Sequence, residues 1–171
     1  MPFTPFHLGP ALLIGLSIRR FIHLPTLLLS SVIIDLEPFL VLVLNLNYPL
    51  YGFMHTFLIA SLVGVIIGLV MKENEKFLHT LYQRLCLTKG ATKTTQPFII
   101  TGVLGTLTHV LLDAPLYDDI TPFFPIHLNL LYAPQLTPLI YSFCLFSGLF
   151  GVGLYLFLLL NRYIGRSRSQ L

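Results

Sequence analysis

Charged residues are scarce in this sequence. Aspartate, glutamate, lysine and arginine together make up 10% of the 171 residues, against about 25% in an ordinary soluble domain. Hydrophobic residues make up 55%, and the mean hydropathy is +0.82. No polar stretch is long enough to fold alone. This composition excludes a soluble domain. We therefore predict a single membrane-embedded domain over residues 1–171.

Other common features are also missing. There are two cysteines, Cys86 and Cys144, and the topology below places them on opposite sides of the membrane, so no disulfide is expected. The sequence contains no Gly-rich phosphate loop, no nucleophile elbow and no nucleic-acid motif, and we expect no nucleic-acid partner. No Lys or Arg precedes the first apolar run, which is the reverse of a signal peptide, so we expect this run to be retained.

Long apolar runs are what the sequence has in abundance. They cover residues 11–18, 24–44, 53–71, 97–116 and 139–160. These runs predict an all-α, polytopic integral membrane bundle of about five helices, in which the first run spans only if residues 3–10 are also embedded. Pro38 interrupts the second run, because it leaves the Ile34 carbonyl without its helical donor. A broken helix at this depth is tolerated where it lines a cavity.

The basic residues set the predicted orientation. With five spans, all ten Lys and Arg residues fall on one side, in segments 19–20, 72–93 and 162–168. The positive-inside rule makes that side cytoplasmic. We therefore predict a protein of the cell membrane with its amino terminus outside and its carboxyl terminus in the cytoplasm.

Two ionisable residues in the fourth run need an explanation. His109 and Asp113 are four residues apart, so they lie on one face of a helix. Each ionisable group costs roughly 2.5–3.5 kcal/mol at mid-membrane on insertion scales. The two groups either pair with each other inside the bundle or serve together as metal ligands.

Residues on other runs favour the metal site. In the predicted topology, His7, Asp35 and His55 lie toward the extracellular side of the membrane, at about the same depth as His109 and Asp113. A self-contained His–Asp pair would not need these three residues at its level. Imidazole and carboxylate together suit Zn²⁺, and a carboxylate can bridge two ions. We therefore predict an outward-facing polar site that binds a divalent metal, with Zn²⁺ as the expected ion.

Four short motifs carry a resemblance to a known family. They are Phe3-Thr-Pro-Phe-His7-Leu-Gly-Pro, Asp35-Leu-Glu37-Pro, Phe53-Met-His55-Thr and Thr108-His109-Val-Leu-Leu-Asp113. In their order and spacing, over about residues 1–127, the chain resembles the membrane-bound metal-dependent hydrolases, which are grouped with zinc-dependent phospholipase C and the single-strand-specific zinc nucleases. The resemblance implies a helical fold that holds zinc ions and hydrolyses phosphoester bonds. It also implies metal-ligand roles for His7, Asp35, His55, His109 and Asp113, with Asp35 as the bridge.

The chain departs from the soluble phospholipase C pattern in two places. That pattern completes three zinc ions with an amino-terminal tryptophan and a late His-x-x-x-Glu. This chain has no tryptophan, and residues 139–160 include neither His nor Glu. We therefore expect one or two ions, with Asp118, Asp119 or His127 filling the vacant positions.

The predicted function is a membrane-embedded metal-dependent hydrolase that attacks a phosphoester, with lipids among the candidate substrates, through a metal-activated water. Asp35 or Glu37 would take the proton. Amide and ester substrates stay open, because the outer side has no Lys or Arg to hold an anion. The alternatives are a non-catalytic metal-binding membrane protein and a divalent-cation transporter. The predicted partners are the bilayer and a small-molecule or lipid substrate.

The loop at 114–138, rich in proline and aromatic residues, is either an interfacial belt or a lid over the site.

Overall fold

The computed structural model describes residues 5–88 and 94–168, and the regular structure within these ranges is entirely helical. The α-helices are α1 (Leu8–Ser17), α2 (Leu24–Ile33), α3 (Leu36–Val43), α4 (Phe57–Arg84), α5 (Gln96–Asp113) and α6 (Thr137–Arg168). Short 3-10 helices at Pro5–His7, Phe53–His55 and Pro134–Leu136 precede α1, α4 and α6. Because α2 and α3 share one interrupted apolar run, the six helices form five units. The predicted helical bundle is confirmed.

Within the described ranges, three segments are long and apolar enough to cross a membrane: Leu24–Val43, Phe57–Arg84 and Pro134–Ile164. The segment Pro5–Ser17 is apolar but shorter. Helix α5 packs against both α2 and α4, while α1 packs against α6 and α2. Helix α5, which carries the His–Asp pair, is thus placed among the other helices of the bundle.

Helix α4 is longer than the sequence predicted. The third apolar run ends at Met71, where charged residues begin, yet the helix continues to Arg84. Glu75 lies in this extension and is buried. Its burial is tolerated because each of its carboxylate oxygens contacts an imidazole. Oε2 is 3.0 Å from His23 Nε2, and Oε1 is 3.0 Å from His79 Nδ1. These contacts stabilise the buried carboxylate of Glu75 within the extension of α4.

The break between α2 and α3 occurs where Pro38 predicted it. The Ile34 carbonyl accepts a hydrogen bond from the Glu37 N–H at 3.2 Å, in place of the bond that Pro38 has no N–H to make. The Phe39 N–H resumes the helical pattern by donating to the Asp35 carbonyl at 3.1 Å. This local change of winding leaves Asp35 at the junction, with its side chain buried in the bundle.

Arginine side chains gather at one end of the bundle. Arg19 Nη1 donates to the Cys86 carbonyl at 3.2 Å, and Arg162 Nη1 lies 3.4 Å from the Arg84 carbonyl oxygen. These carbonyls belong to the carboxyl-terminal end of α4, where a positive charge is favoured. Arg19 and Arg162 thus lie at the same end of the bundle, and the predicted orientation stays a prediction. Of the same predicted charge group, Lys89 and Lys93 lie outside the described residues, as do Phe3 and Thr4 of the first motif.

Glycines allow α4 and α5 to approach closely. A Cβ placed on Gly102 would lie 2.1 Å from the Gly64 carbonyl oxygen, and one on Gly68 would lie 2.7 Å from the Ile99 Cα. Both contacts involve backbone atoms, which cannot rotate away. Close packing of small residues is a usual basis of helix association in membranes.

We expect Gly102→Ala to destabilise the bundle by about 1–3 kcal/mol, because the added methyl forces α4 and α5 apart. Thermal unfolding in detergent measures the effect. The matched control is Gly153→Ala on α6, where an added Cβ meets no atom within 4 Å. Equal unfolding temperatures for the two variants would contradict the close α4–α5 contact.

Candidate metal centre

Five buried side chains from four parts of the chain meet at the carboxyl-terminal end of α5. Each of them is at most 6% exposed. They are His7 from the first 3-10 helix, Asp35 from the α2–α3 break, His55 from the second 3-10 helix, and His109 and Asp113 from α5. The other three elements all depart from regular α-helical geometry at the site. Each of them contributes one buried side chain there.

Four of these residues have the geometry of a metal-binding group. One ligand atom from each of Asp35, His55, His109 and Asp113 can be chosen so that all four atoms lie within 4.8 Å of one another. Imidazole nitrogens and carboxylate oxygens are the usual protein ligands of zinc. A buried cluster that could hold a metal ion is therefore present, as predicted.

The carboxylates and imidazoles are shared rather than paired one to one. His109 Nε2 lies 3.4 Å from Asp35 Oδ1 and 3.5 Å from Asp113 Oδ2. The other oxygen of Asp113 lies 3.1 Å from His7 Nε2. The rings of His7 and His109 also stack, with centroids 4.0 Å apart. A His109–Asp113 pair confined to α5 does not describe this arrangement, because each member has an equally near partner on another element.

Several polar atoms in the cluster have no hydrogen-bond partner among the described residues. They are His7 Nδ1, Asp35 Oδ2, His55 Nε2 and His109 Nε2. A buried polar atom without a partner costs about 1–3 kcal/mol. Three of these atoms belong to the four-residue group. A bound cation would satisfy the imidazole lone pairs and the carboxylate oxygen together.

The hydrogen bond of His109 fixes which nitrogen faces the cluster. Its Nδ1 lies 2.7 Å from the Ser31 carbonyl oxygen. A carbonyl can only accept, so Nδ1 carries the proton and donates it. In the neutral imidazole, Nε2 then presents its lone pair to Asp35 and Asp113. Backbone carbonyls commonly orient metal-ligating histidines in this way.

His55 is oriented by a carboxylate. Its Nδ1 lies 3.2 Å from Glu37 Oε2, so Nδ1 donates and Nε2 points into the cluster. The ring also packs edge-on against Tyr51, with centroids 4.8 Å apart. His55 thus has the same tautomer as His109. Glu37 and the Ser31 carbonyl thus orient His55 and His109 so that both Nε2 atoms face the cluster.

Glu37 was predicted as one of two possible proton acceptors, and the structure places it outside the ligand group. Its carboxylate accepts from the Gly52 N–H at 3.0 Å and from the Met54 N–H at 3.1 Å. The Tyr48 hydroxyl donates to its other oxygen at 3.3 Å. With the His55 bond, both oxygens of Glu37 already accept hydrogen bonds, and the carboxylate holds the turn that carries His55.

The loop residues proposed as further ligands are not part of the four-residue group. Asp118, Asp119 and His127 are all exposed. Burial raises the pKa of the Asp119 carboxyl above its usual value and Asp118 raises it further, while His55 lowers it. A metal-ligand role for Asp119 stays a prediction.

The 114–138 loop packs beside the site. The Phe57 N–H at the start of α4 donates to the Pro122 carbonyl at 2.9 Å, and the Phe57 and Phe123 rings meet at 5.3 Å. Tyr117 stacks on Tyr51 at 4.5 Å. The loop is therefore in contact with the segment that carries His55, a position that suits a cover over the cluster.

Sequence reasoning missed the residues that orient the ligands. Ser31 acts through its carbonyl, which no side-chain pattern could reveal. Tyr51 is buried against His55, and burial raises the pKa of its hydroxyl well above the usual range. Its position four residues before His55 was the available signal, but in a loop that spacing does not predict contact.

No protein-family model matches the chain, and no curated protein or solved structure matches it either. Fold and site together define a helical protein with membrane-spanning candidates and a buried His/Asp cluster able to hold a metal ion.

Proposed function

We propose that this chain is a membrane-embedded metal-dependent hydrolase whose centre is the cluster of Asp35, His55, His109 and Asp113. The observation that carries the proposal is the convergence of four buried ligand atoms within 4.8 Å, drawn from three separate elements. Ionisable groups in a membrane helix are costly and usually functional. A purely structural role would require direct pairing, and three of these residues each retain a polar atom that accepts or donates no hydrogen bond within the described part of the chain.

The spacing of the ligand atoms supports a cation better than a set of hydrogen bonds. Two ligands about 2.0–2.1 Å from a tetrahedral zinc ion are separated by about 3.3 Å. His109 Nε2 is 3.4 and 3.5 Å from the carboxylate oxygens of Asp35 and Asp113. Both distances exceed the usual 2.7–3.2 Å of a hydrogen bond to nitrogen.

The donor set favours zinc and permits one or two ions. Two imidazoles and two carboxylates suit Zn²⁺. The oxygens of Asp113 face different histidines, His109 on one side and His7 on the other. Asp113 is therefore placed to bridge two positions, a role that the family resemblance assigned to Asp35.

The chain's own residues divide the remaining work. A divalent cation bound here would lower the pKa of a water molecule to about 7 and stabilise negative charge on the substrate. Asp35 is the better of the two proposed proton acceptors, because both oxygens of Glu37 already accept hydrogen bonds. Glu37 and the Ser31 carbonyl hold His55 and His109 in position.

The charge distribution limits how the substrate is held. The sequence has no Lys or Arg between residues 21 and 71 or between 94 and 161, the ranges that supply Asp35, His55, His109 and Asp113. A phosphoester would be held by the cation and by backbone N–H groups, and carboxylic esters and amides fit the same description. With the arginines at the opposite end of the bundle, the site faces the outside of the cell.

The rival function is cation transport, which needs a polar path from the cluster through the bundle. Buried hydroxyls do lie along the α2–α5 contact. Three of them donate to a carbonyl of their own helix: Ser30 to Thr26, Thr101 to Pro97 and Thr106 to Val103. Their oxygens keep the lone pairs that contact a cation, so transport stays the alternative function, and the hydrolysis assay below separates the two.

A matched pair of histidine variants tests the proposal. His55→Ala should strip bound metal and abolish hydrolysis across a panel of phosphodiesters, phosphomonoesters and carboxylic esters. His23→Ala should keep both, because His23 is equally buried but pairs with Glu75 at the other end of the bundle. Elemental analysis of the purified protein and rates of hydrolysis are the measurements. Metal loss in His23→Ala equal to that in His55→Ala would contradict the assignment, and metal binding without hydrolysis of any substrate would favour a non-catalytic role.

A further inference from the structure

The loop between α5 and α6 presents aliphatic side chains to its surroundings. Ile126 is 52% exposed, Leu128 66% and Leu130 68%. Leu131, the next residue along the chain, instead packs against the buried cluster that includes Ala114. One side of the loop therefore packs on the bundle, while Ile126, Leu128 and Leu130 form its exposed apolar surface.

The loop is as poor in charge as a membrane span. No Asp, Glu, Lys or Arg occurs between residues 120 and 161, a range that includes most of the membrane-spanning candidate Pro134–Ile164. The exposed Leu136 and Leu139 continue the apolar surface along the chain into α6. A large exposed apolar surface marks contact with another protein or with lipid. Its continuity with a candidate span favours lipid.

The contacts of the loop with α4 fix its depth. The Phe57 N–H donates to the Pro122 carbonyl, and the Phe57 ring meets that of Phe123. Lys72 is the first charged residue of α4 and marks the approach to the opposite membrane surface. From Phe57 to Lys72 the helix rises by roughly 22 Å, whereas the hydrocarbon core is about 30 Å thick. Phe57 and the loop beside it therefore lie at or inside the near edge of the hydrocarbon core.

The backbone of the loop is held by the protein, as this depth requires. Irregular backbone exposed to lipid is not tolerated in the hydrocarbon core, because its polar groups would have no partner. The Asn129 amide donates to the Ala114 carbonyl at 2.6 Å and to the Tyr117 carbonyl at 2.9 Å. Its oxygen accepts from the Leu131 N–H at 3.0 Å. These bonds turn polar groups toward the bundle and leave aliphatic side chains on the outside.

Two aromatic residues of the loop are used for packing within the protein. Tyr117 stacks on Tyr51, and Phe124 packs edge-on against Phe53 with centroids 5.2 Å apart. A belt of aromatic residues would instead present its rings to the head groups. The most exposed side chains of the loop are aliphatic, and these suit the acyl chains rather than the head groups.

We propose that Ile126, Leu128 and Leu130 insert into the leaflet nearest to the candidate metal centre and anchor the loop to the acyl chains of the bilayer. The partner is the lipid surface itself, and the inference does not depend on hydrolysis or on the substrate. Through the bond from Asn129 to the Ala114 carbonyl, the inserted surface holds the carboxyl-terminal end of α5 at the depth of the hydrocarbon edge.

The sequence contains no tryptophan, so a single introduced tryptophan reports its own surroundings. Leu128→Trp and Leu130→Trp are placed in phosphatidylcholine vesicles, with brominated acyl chains as the quencher in the lipid and iodide on both sides as the quencher in the water. The aqueous reference is Asp118→Trp, at an exposed position of the same loop, and the lipid reference is Leu62→Trp, at an exposed position of α4. We expect brominated lipid to reduce the emission of Leu128→Trp and Leu130→Trp as it reduces that of Leu62→Trp. Bromine near the head group should quench the two loop variants more than bromine near the chain end, and iodide should quench only Asp118→Trp.

Two results would overturn the insertion. Iodide quenching of Leu128→Trp and Leu130→Trp as strong as that of Asp118→Trp would place the loop in water. Protection from both quenchers would assign the surface to a protein partner instead. Thermal unfolding checks that each variant folds, and Ile126→Trp replaces any variant that does not, with the same outcomes. None of these measurements uses hydrolysis, so an inactive wild-type protein would refute the hydrolase and leave the insertion standing.

Discussion

Replacing His109 or Asp113 with leucine is expected to remove the bound metal and to lower the free energy of unfolding by about 3–5 kcal/mol, the usual cost of stranding a buried charge. In His109→Leu, the Asp35 and Asp113 carboxylates lose the imidazole between them. In Asp113→Leu, His7 and His109 lose a shared carboxylate. Loss of the metal removes its binding energy from the folded state as well. Metal content and thermal unfolding of both single variants measure these effects.

The double variant His109→Leu with Asp113→Leu separates a metal centre from an ion pair. If the two residues served only each other, replacing both by apolar side chains would restore most of the lost stability. Here Asp35, His55 and His7 would still be buried without their ion, so we expect little recovery. His23→Leu with Glu75→Leu is the control, because this pair lies at the other end and its loss should leave metal content unchanged. A stable double variant whose parent protein binds no metal would refute the metal centre.

The main features of the site could be predicted because membrane helices penalise ionisable residues. The spacing of His109 and Asp113 and their apolar surroundings predicted that they belong to a polar site. Pro38 predicted the break that turns Asp35 inward, because a missing N–H has a direct consequence for one carbonyl. The positive-inside rule then brought residues distant in sequence to one layer. Each inference used a constraint that acts locally or along the membrane normal, and so needed no knowledge of which helices are neighbours.

Features that depend on lateral packing could not be predicted in the same way. Depth alone placed Glu37 and Asp35 together as possible bases, and only the positions of Gly52, Met54 and His55 distinguish them. Glu75 follows the end of the third apolar run, and its burial depends on a contact with His23, which precedes α2. The extension of α4 to Arg84 follows from that pairing. Such contacts are set by three-dimensional neighbours, which one sequence does not specify.

The position of Glu37 leads to the second large effect. A proton acceptor needs a free oxygen near the reacting water, whereas both oxygens of Glu37 accept hydrogen bonds from the turn that carries His55. A carboxylate in that position fixes the ring of the histidine, and such partners typically change metal affinity 10–100-fold when replaced. Replacing Glu37 should therefore weaken metal binding if it positions His55, and should abolish hydrolysis without loss of metal if it is the proton acceptor.

Glu37→Gln is expected to weaken metal binding by about 10–100-fold and to lower stability by about 1–3 kcal/mol, because the neutral amide accepts through one oxygen only and its NH₂ replaces the oxygen that accepts from the Tyr48 hydroxyl. Titration of the metal-free protein with Zn²⁺ and thermal unfolding measure the two changes. Glu73→Gln, which makes the same change at an exposed carboxylate of α4, is the control and should bind metal normally. Tyr48→Phe removes one donor to Glu37 without altering the carboxylate, so its effect should be much smaller. Full metal occupancy in Glu37→Gln together with lost hydrolysis would instead make Glu37 the proton acceptor, since removing a base spares the metal while removing a positioning carboxylate does not.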